Sequence, residues 1–215
     1  MTRPGIDPVI KKVMDAVPLE FSIDDGAVVA RERLRAVKPP AALLPQMRIE
    51  ERVIGHGDID DIPVRIYWPP IEQHSDLPVV VFYHGGGWCI GDLDTHDHVA
   101  RAHAVGTEAI VVSVDYRLAP EHPYPQGVQD AWAALQWVGE NAIDLGGDPK
   151  RIAVAGDSAG GNLTLALLHR IKAAGGAMPA CAVMLSPFVD FTLSSPSMVT
   201  NEKRDPMFTA AAMVG

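Results

Sequence analysis

The 215-residue sequence predicts an α/β fold, a mostly parallel sheet with crossover helices that is entered through two antiparallel strands. Three observations carry that expectation. Residues 48–57 (RIEERVIGHG) and 62–70 (IPVRIYWPP) alternate apolar and polar side chains, as half-buried strands do. Residues 77–85 (LPVVVFYHG) and 108–117 (EAIVVSVDYR) are instead continuously apolar and β-branched, as strands covered on both faces are. Beyond them, helical and strand-like runs alternate as far as residue 187.

The elements follow in order. Ile6, Val9, Ile10, Val13 and Val17 recur at helical spacing over 6–17, and Val28, Val29, Leu34 and Val37 over 24–38. Pro39, Pro40 and Pro45 end this region, because proline removes a helix donor and restricts the residue before it. Gly55, Gly57 and Asp58 suit a hairpin turn between the first two strands. A helix is expected over 96–106, between the two buried strands. The proline-rich run YRLAPEHPYP (116–125) reads as a structured loop rather than a linker. Residues 128–146 predict an amphipathic helix ending at Gly146-Gly147, 151–158 a buried strand, 160–176 a glycine-capped helix and 180–187 a further strand. The sequence contains no internal repeat and no low-complexity segment.

Composition excludes several function classes. With 47% hydrophobic and 21% charged residues, the chain can bury one sizeable core. A formal net charge of −9 without a basic run offers no electrostatic footprint for nucleic acid or an anionic membrane. Two cysteines, Cys89 and Cys181, do not make a disulfide framework. No apolar run approaches the ~20 residues of a membrane span, and the first residues lack the apolar stretch of a signal peptide. These features point to a cytoplasmic protein.

The chemistry concentrates in Gly156-Asp157-Ser158-Ala159-Gly160, a G-x-S-x-G between a buried strand and a long helix. That context makes it a candidate nucleophile elbow, in which Ser158 adopts strained dihedrals and glycines two residues either side avoid a clash. A serine at the carboxyl end of such a sheet stands where α/β ligand sites lie, with the helix dipole behind it. A phosphate-binding turn is disfavoured, since neither GxGxxG nor the Gly-Lys-Ser/Thr of a P-loop is present there. A serine nucleophile also gives the run FYHGGGWCIGD (82–92) a purpose. Acyl transfer places negative charge on a carbonyl oxygen, and backbone N–H donors aimed at it are worth on the order of 3–4 kcal/mol each. Gly85, Gly86 and Ala159 are the expected donors, with Gly87 a helper or a shaper of the loop and His84 anchoring the loop through its ring.

Taken together, HGGGW (84–88), DYRLAPEHPYP (115–125) and GDSAGG (156–161) resemble the hormone-sensitive-lipase-like family of α/β-hydrolases, with GDLDTHDHVAR (91–101) and LSPFVD (185–190) as flanking family segments. The resemblance covers roughly residues 40–215. It implies an α/β-hydrolase fold under an N-terminal helical cap. It also implies a carboxylesterase acting on a small-molecule ester of short to medium acyl chain, without metal or organic cofactor. On that basis residues 1–45 form the cap segment, 46–190 the hydrolase core, and 191–215 the start of a second cap segment. The implied oligomeric state is open.

The remaining polar residues receive supporting roles. Asp92, Asp94, His96, Asp97 and His98 have the density of metal ligands, yet the resemblance makes them structural, with Asp94 or Asp97 bonding the HGGG loop or capping the next helix. Asp115, Tyr116, Arg117 and Glu121 are expected to form a buried polar network bracing that loop. Trp88 and Asp157 are placed at the pocket, Trp88 with core packing as its alternative. The triad acid and histidine implied by the family are not recognisable. His169, the one histidine after Ser158, lies eleven residues along the same helix, about 16 Å away by helical rise. Asp190 and Asp205 fall at positions that do not match the triad acid. Six strands are read where the resemblance implies eight, so the last two strands are expected to be missing and the chain to be truncated at its C-terminus. Some relatives of the family are hormone receptors that keep the serine and lose the histidine. An inactive ligand-binding hydrolase fold, or a remnant, is therefore the alternative to an esterase.

Overall fold

A computed structural model of the chain describes residues 7–9, 11–12, 26–37, 39, 43–72 and 75–201. Two compact units are distinguished, Lys38–Val189 and a smaller one made of Met1–Val37 with Asp190–Gly215.

In the larger unit, β1 (Arg48–His56) and β2 (Ile59–Trp68) form the expected hairpin, turning at Gly57 and Asp58. β3 (Leu77–Tyr83), α2 (Asp97–Thr107), β4 (Ile110–Val114), α3 (Gln126–Asn141), β5 (Gly147–Asp157), α4 (Ala159–Ala174) and β6 (Cys181–Leu185) follow. The smaller unit contributes α1 (Gly26–Ala36) and the short α5 (Pro196–Asn201). Residues 8, 9, 11 and 12 are helical, whereas the rest of the first predicted helix lies outside the described residues. The strand order is β1-β2-β4-β3-β5-β6. β2 pairs antiparallel with both β1 and β4, while β3, β4, β5 and β6 run parallel.

The two readings of strand burial correspond to position in the sheet. β3 and β4 are central and buried on both faces. Val79, Val81, Tyr83, Val112 and Val154 face one core, closed by Ala134 and Val138 of α3 and by Leu163 and Leu167 of α4. Val80, Phe82, Val111 and Ala155 face the other, closed by Ala100 and Ala104 of α2. The edge strand β6 is only half-covered, with Cys181, Val183 and Leu185 exposed.

One helix boundary differs from expectation. α3 stops at Asn141, and turns carry the chain on, with Leu145 N–H donating to Asn141 O (3.1 Å) and Gly147 N–H to Ala142 O (2.7 Å). Gly147 already belongs to β5, where a side chain would run into Val79 Cγ2. Among the described residues no helix is long and apolar enough to cross a membrane.

Candidate active site

Ser158 stands between the last residue of β5 and the first of α4, with φ 48° and ψ −113°. A side-chain-bearing residue in such a region costs on the order of 1–3 kcal/mol and persists only where its surroundings over-determine it. Here they do. A Cβ on Gly156 would strike the Gly160 carbonyl, and one on Gly160 would strike Tyr83 O and lie 2.7 Å from His84 O. On Gly161 it would press to 3.0 Å on Pro187. Hydrogen bonds fix the turn further. Ser158 N–H donates to Leu185 O (2.9 Å), and Ser158 O accepts from Asn162 N–H (3.0 Å) and Phe188 N–H (3.2 Å).

The loop after β3 lies against this elbow. Gly85 N–H donates to Asp157 Oδ1 at 2.9 Å, so it is already engaged, which corrects its expected place among the oxyanion donors. A side chain at Gly85 would collide with the same carboxylate. Gly86 N–H, Gly87 N–H and Ala159 N–H donate to no acceptor among the described residues. Gly86 has φ 125°, and its carbonyl accepts the N–H groups of Cys89 (3.1 Å) and Ile90 (2.9 Å), closing the loop on itself. Gly87 has φ 57° with open space around it, so its backbone conformation rather than close approach calls for glycine.

His84 is fully buried and braces this loop from behind. Its Nδ1 lies 2.7 Å from Gly85 O, to which it donates, and its ring stacks on Tyr116 at 4.4 Å. Burial, aided by the neighbouring His96, pushes its pKa down to about 4, so the ring is neutral at pH 7. The Tyr116 hydroxyl donates to His84 O at 2.7 Å.

The expected Asp115–Tyr116–Arg117–Glu121 network takes a different form. Arg117 binds Asp130 of α3 bidentately, at 2.6 Å from Nη2 and 2.8 Å from Nε, and its N–H donates to the same carboxylate (2.9 Å). Asp130 is 1% exposed and is the buried acid that the sequence reading missed, although an aspartate beside Ala131 on a core-facing helix turn was its signal. Asp115 Oδ1 lies 4.0 Å from His84 Nε2, and Glu121 is exposed. Trp88 meets Phe188 edge-on at 5.9 Å and packs against the core, in keeping with its alternative reading.

The aspartate–histidine cluster is dispersed. Asp94 pairs with Arg65 of β2 at 2.9 Å, and Asp97 accepts from Tyr67 Oη (2.9 Å) and Arg101 Nε (2.7 Å). A loop N–H, that of Gly85, is accepted by the carboxylate of Asp157, and Asp97 stands in the first turn of α2. Among the described residues no group of three or more His, Cys, Asp or Glu could hold a metal ion. His96, read only as part of that cluster, turns its Nε2 to 3.9 Å from Asp157 Oδ2. Among the described residues no imidazole hydrogen-bonds the Ser158 hydroxyl, and His169 is exposed along α4. The Asp190 carboxylate accepts from Thr192 N–H (2.9 Å) and its hydroxyl (2.6 Å), bonds that hold it below the usual carboxylate range.

Comparison with known proteins bears on the family and the fold. A family profile described as "alpha/beta hydrolase fold" matches residues 80–214. The carboxylesterase NlhH of Mycobacterium tuberculosis is 58% identical over 201 residues, covering 94% of this chain and 63% of the relative. The esterase LipI of the same organism is 48% identical, with 93% and 62% covered. The solved structure of a hyperthermophilic esterase from Pyrobaculum calidifontis superposes with a TM-score of 0.85 at 36% identity, covering 98% of this chain and 69% of that one. The chain thus spans about 63% of the length of the curated relatives it matches.

Proposed function

Since the chain belongs to the α/β-hydrolase family matched over residues 80–214, we propose that it works as a carboxylic ester hydrolase through an acyl-enzyme on Ser158. The observation that carries this reading is the strained Ser158 between β5 and α4, held by glycines that approach backbone directly. In the proposed reaction Ser158 Oγ attacks the ester carbonyl carbon and the developing oxyanion accepts N–H groups of Gly86, Gly87 and Ala159. The alkoxide leaves with a proton, and water then releases the acid. The donor set moves one residue along the loop from the sequence reading, since Gly85 N–H is engaged by Asp157. His84 supports the loop and is not the base, because its ring is buried and bound to Gly85 O. A general base and its orienting acid complete the mechanism, and no described residue is assigned to either role. The substrate proposed is a small ester of short to medium acyl chain.

The test is reaction of the chain with a fluorescent alkyl phosphonate and with short-chain p-nitrophenyl esters, beside Ser158→Ala. Labelling or turnover that requires Ser158 supports the reading. Equal ester cleavage by both proteins refutes the nucleophile assignment.

A further inference from the structure

The oxyanion loop and the nucleophile elbow belong to different strands, and the Asp157 side chain links them through a polar bond. One of its oxygens accepts Gly85 N–H, and the other faces His96 Nε2 at 3.9 Å, an electrostatic contact longer than a hydrogen bond. His96 is held in that orientation from several sides. Its Nδ1 lies 3.0 Å from Thr95 Oγ1, and Thr95 is fastened in turn to Asp92 by its N–H to Oδ1 (2.7 Å) and by the Asp92 N–H to its hydroxyl oxygen (2.9 Å). The ring packs 5.2 Å from that of His84 and 6.4 Å from that of Phe82. The flanking residues are tied down through Arg65, which donates to Leu93 O (3.1 Å) and to Asp94, and through Tyr67 and Arg101 on Asp97.

We propose that Asp157 and His96 are positioning residues for the oxyanion donors, a latch in which His96 steadies the Asp157 carboxylate and that carboxylate fixes Gly85 and hence the register of Gly86 and Gly87 against Ser158. The assignment rests on the reading of Ser158 as nucleophile, and it gives the Asp of the elbow a task other than lining the pocket. The fit is reciprocal, since any side chain at residue 85 would occupy the space of the Asp157 carboxylate.

The latch turns on which His96 nitrogen carries the ring proton. The Thr95 hydroxyl has a single proton, which either Asp92 O (3.0 Å) or His96 Nδ1 can accept. Given to Nδ1, it leaves the His96 proton on Nε2, directed at Asp157. The groups facing His96 are Asp157, Asp92, His98 and His84. Burial, the largest influence, lowers the His96 pKa and outweighs the attraction of Asp157, so the ring is neutral at pH 7. Acid then places a positive charge opposite Asp157 Oδ2 and draws on the carboxylate that holds Gly85.

The experiment is NMR of the whole 15N-labelled chain, following the Gly85 amide and the His96 ring protons from pH 8 to 5. The Gly85 amide proton is expected downfield, as for an N–H bonded to a carboxylate, and its shift is expected to follow the His96 ring with a midpoint below the ordinary imidazole value. His96→Gln should abolish that titration step. Asp157→Asn, which keeps an acceptor oxygen, should keep the folded spectrum while moving the amide upfield and removing the step. A Gly85 resonance that ignores the His96 titration in the unmodified chain overturns the latch, whatever the variants do. Phosphonate labelling of the same samples keeps the two readings apart. Ser158-dependent labelling without the coupled titration removes the latch alone. Coupled titration without Ser158-dependent labelling removes the esterase reading and leaves the loop linkage standing.

Discussion

Replacing Gly160 by alanine adds one methyl group at the tightest backbone contact of the candidate site. The new carbon would meet Tyr83 O and Tyr83 C and would lie 2.7 Å from His84 O, all backbone atoms that no rotamer change can move aside. Overpacking of this kind costs about 1–3 kcal/mol, and a contact made wholly with backbone belongs at the upper end, near ~3 kcal/mol. For a domain of 150–250 residues each kcal/mol shifts Tm by roughly 2–4 °C, so Gly160→Ala should melt about 6–12 °C below the unmodified chain. Gly139→Ala supplies the opposite sign. Gly139 is exposed in α3 with nothing within 4 Å of its would-be Cβ. Its replacement should therefore stabilise the helix by about 0.5–1 kcal/mol. Both are read by circular dichroism melting at 222 nm. If Gly160→Ala melts with the unmodified chain while Gly139→Ala rises, then backbone contact between elbow and loop does not hold this site together.

Three further outcomes are expected. Tyr116→Phe removes the hydroxyl that bonds His84 O, leaving a buried carbonyl unsatisfied at a cost of about 1–3 kcal/mol. Urea unfolding measures this loss, and an unchanged midpoint would count against Tyr116 as a brace. Asp130→Ala removes the acceptor of three Arg117 bonds but leaves a guanidinium that reaches solvent, and should destabilise by about 1–3 kcal/mol, whereas Asp94→Ala at the exposed end of its pair with Arg65, which keeps Glu51, should cost less than about 1 kcal/mol. Equal losses in chemical denaturation would refute the distinction between the two pairs. Stability should also fall as pH drops below the ordinary imidazole value. His84 is neutral in the folded chain down to a pKa of about 4, so the unfolded chain takes up the proton first, and up to ~3 kcal/mol is lost between pH 6.5 and pH 4. A denaturation midpoint that stays flat across that interval would contradict the buried neutral ring.

The sheet was legible in the sequence because strand burial writes itself as pattern. β1 and β2 alternate, β3 and β4 do not, and the pairing follows that difference. The elbow was legible because the glycines two residues either side of Ser158 have few other uses between a buried strand and a helix. The hydrogen bonds of the loop were not, since any of several carboxylates in 92–97 lies near it along the chain, whereas Asp157 is 72 residues from Gly85. Pairing by charge alone linked Arg117 to its sequence neighbours, but the partner is one helix away at Asp130. The end of α3 was placed late because Gly146 and Gly147 resemble a helix cap, while Gly147 serves β5.

The contact between Gly160 and the carbonyls of Tyr83 and His84 acts as a spacer whose length is an atomic radius. Neither side of it carries a side chain that could be exchanged for a longer or shorter one. The separation of the Ser158 turn from the glycine loop is therefore set by main-chain atoms rather than by side-chain length. Trp88 and Phe188, by contrast, meet through their rings, which substitution can lengthen or shorten. A dimension set this way changes only when the backbone itself moves.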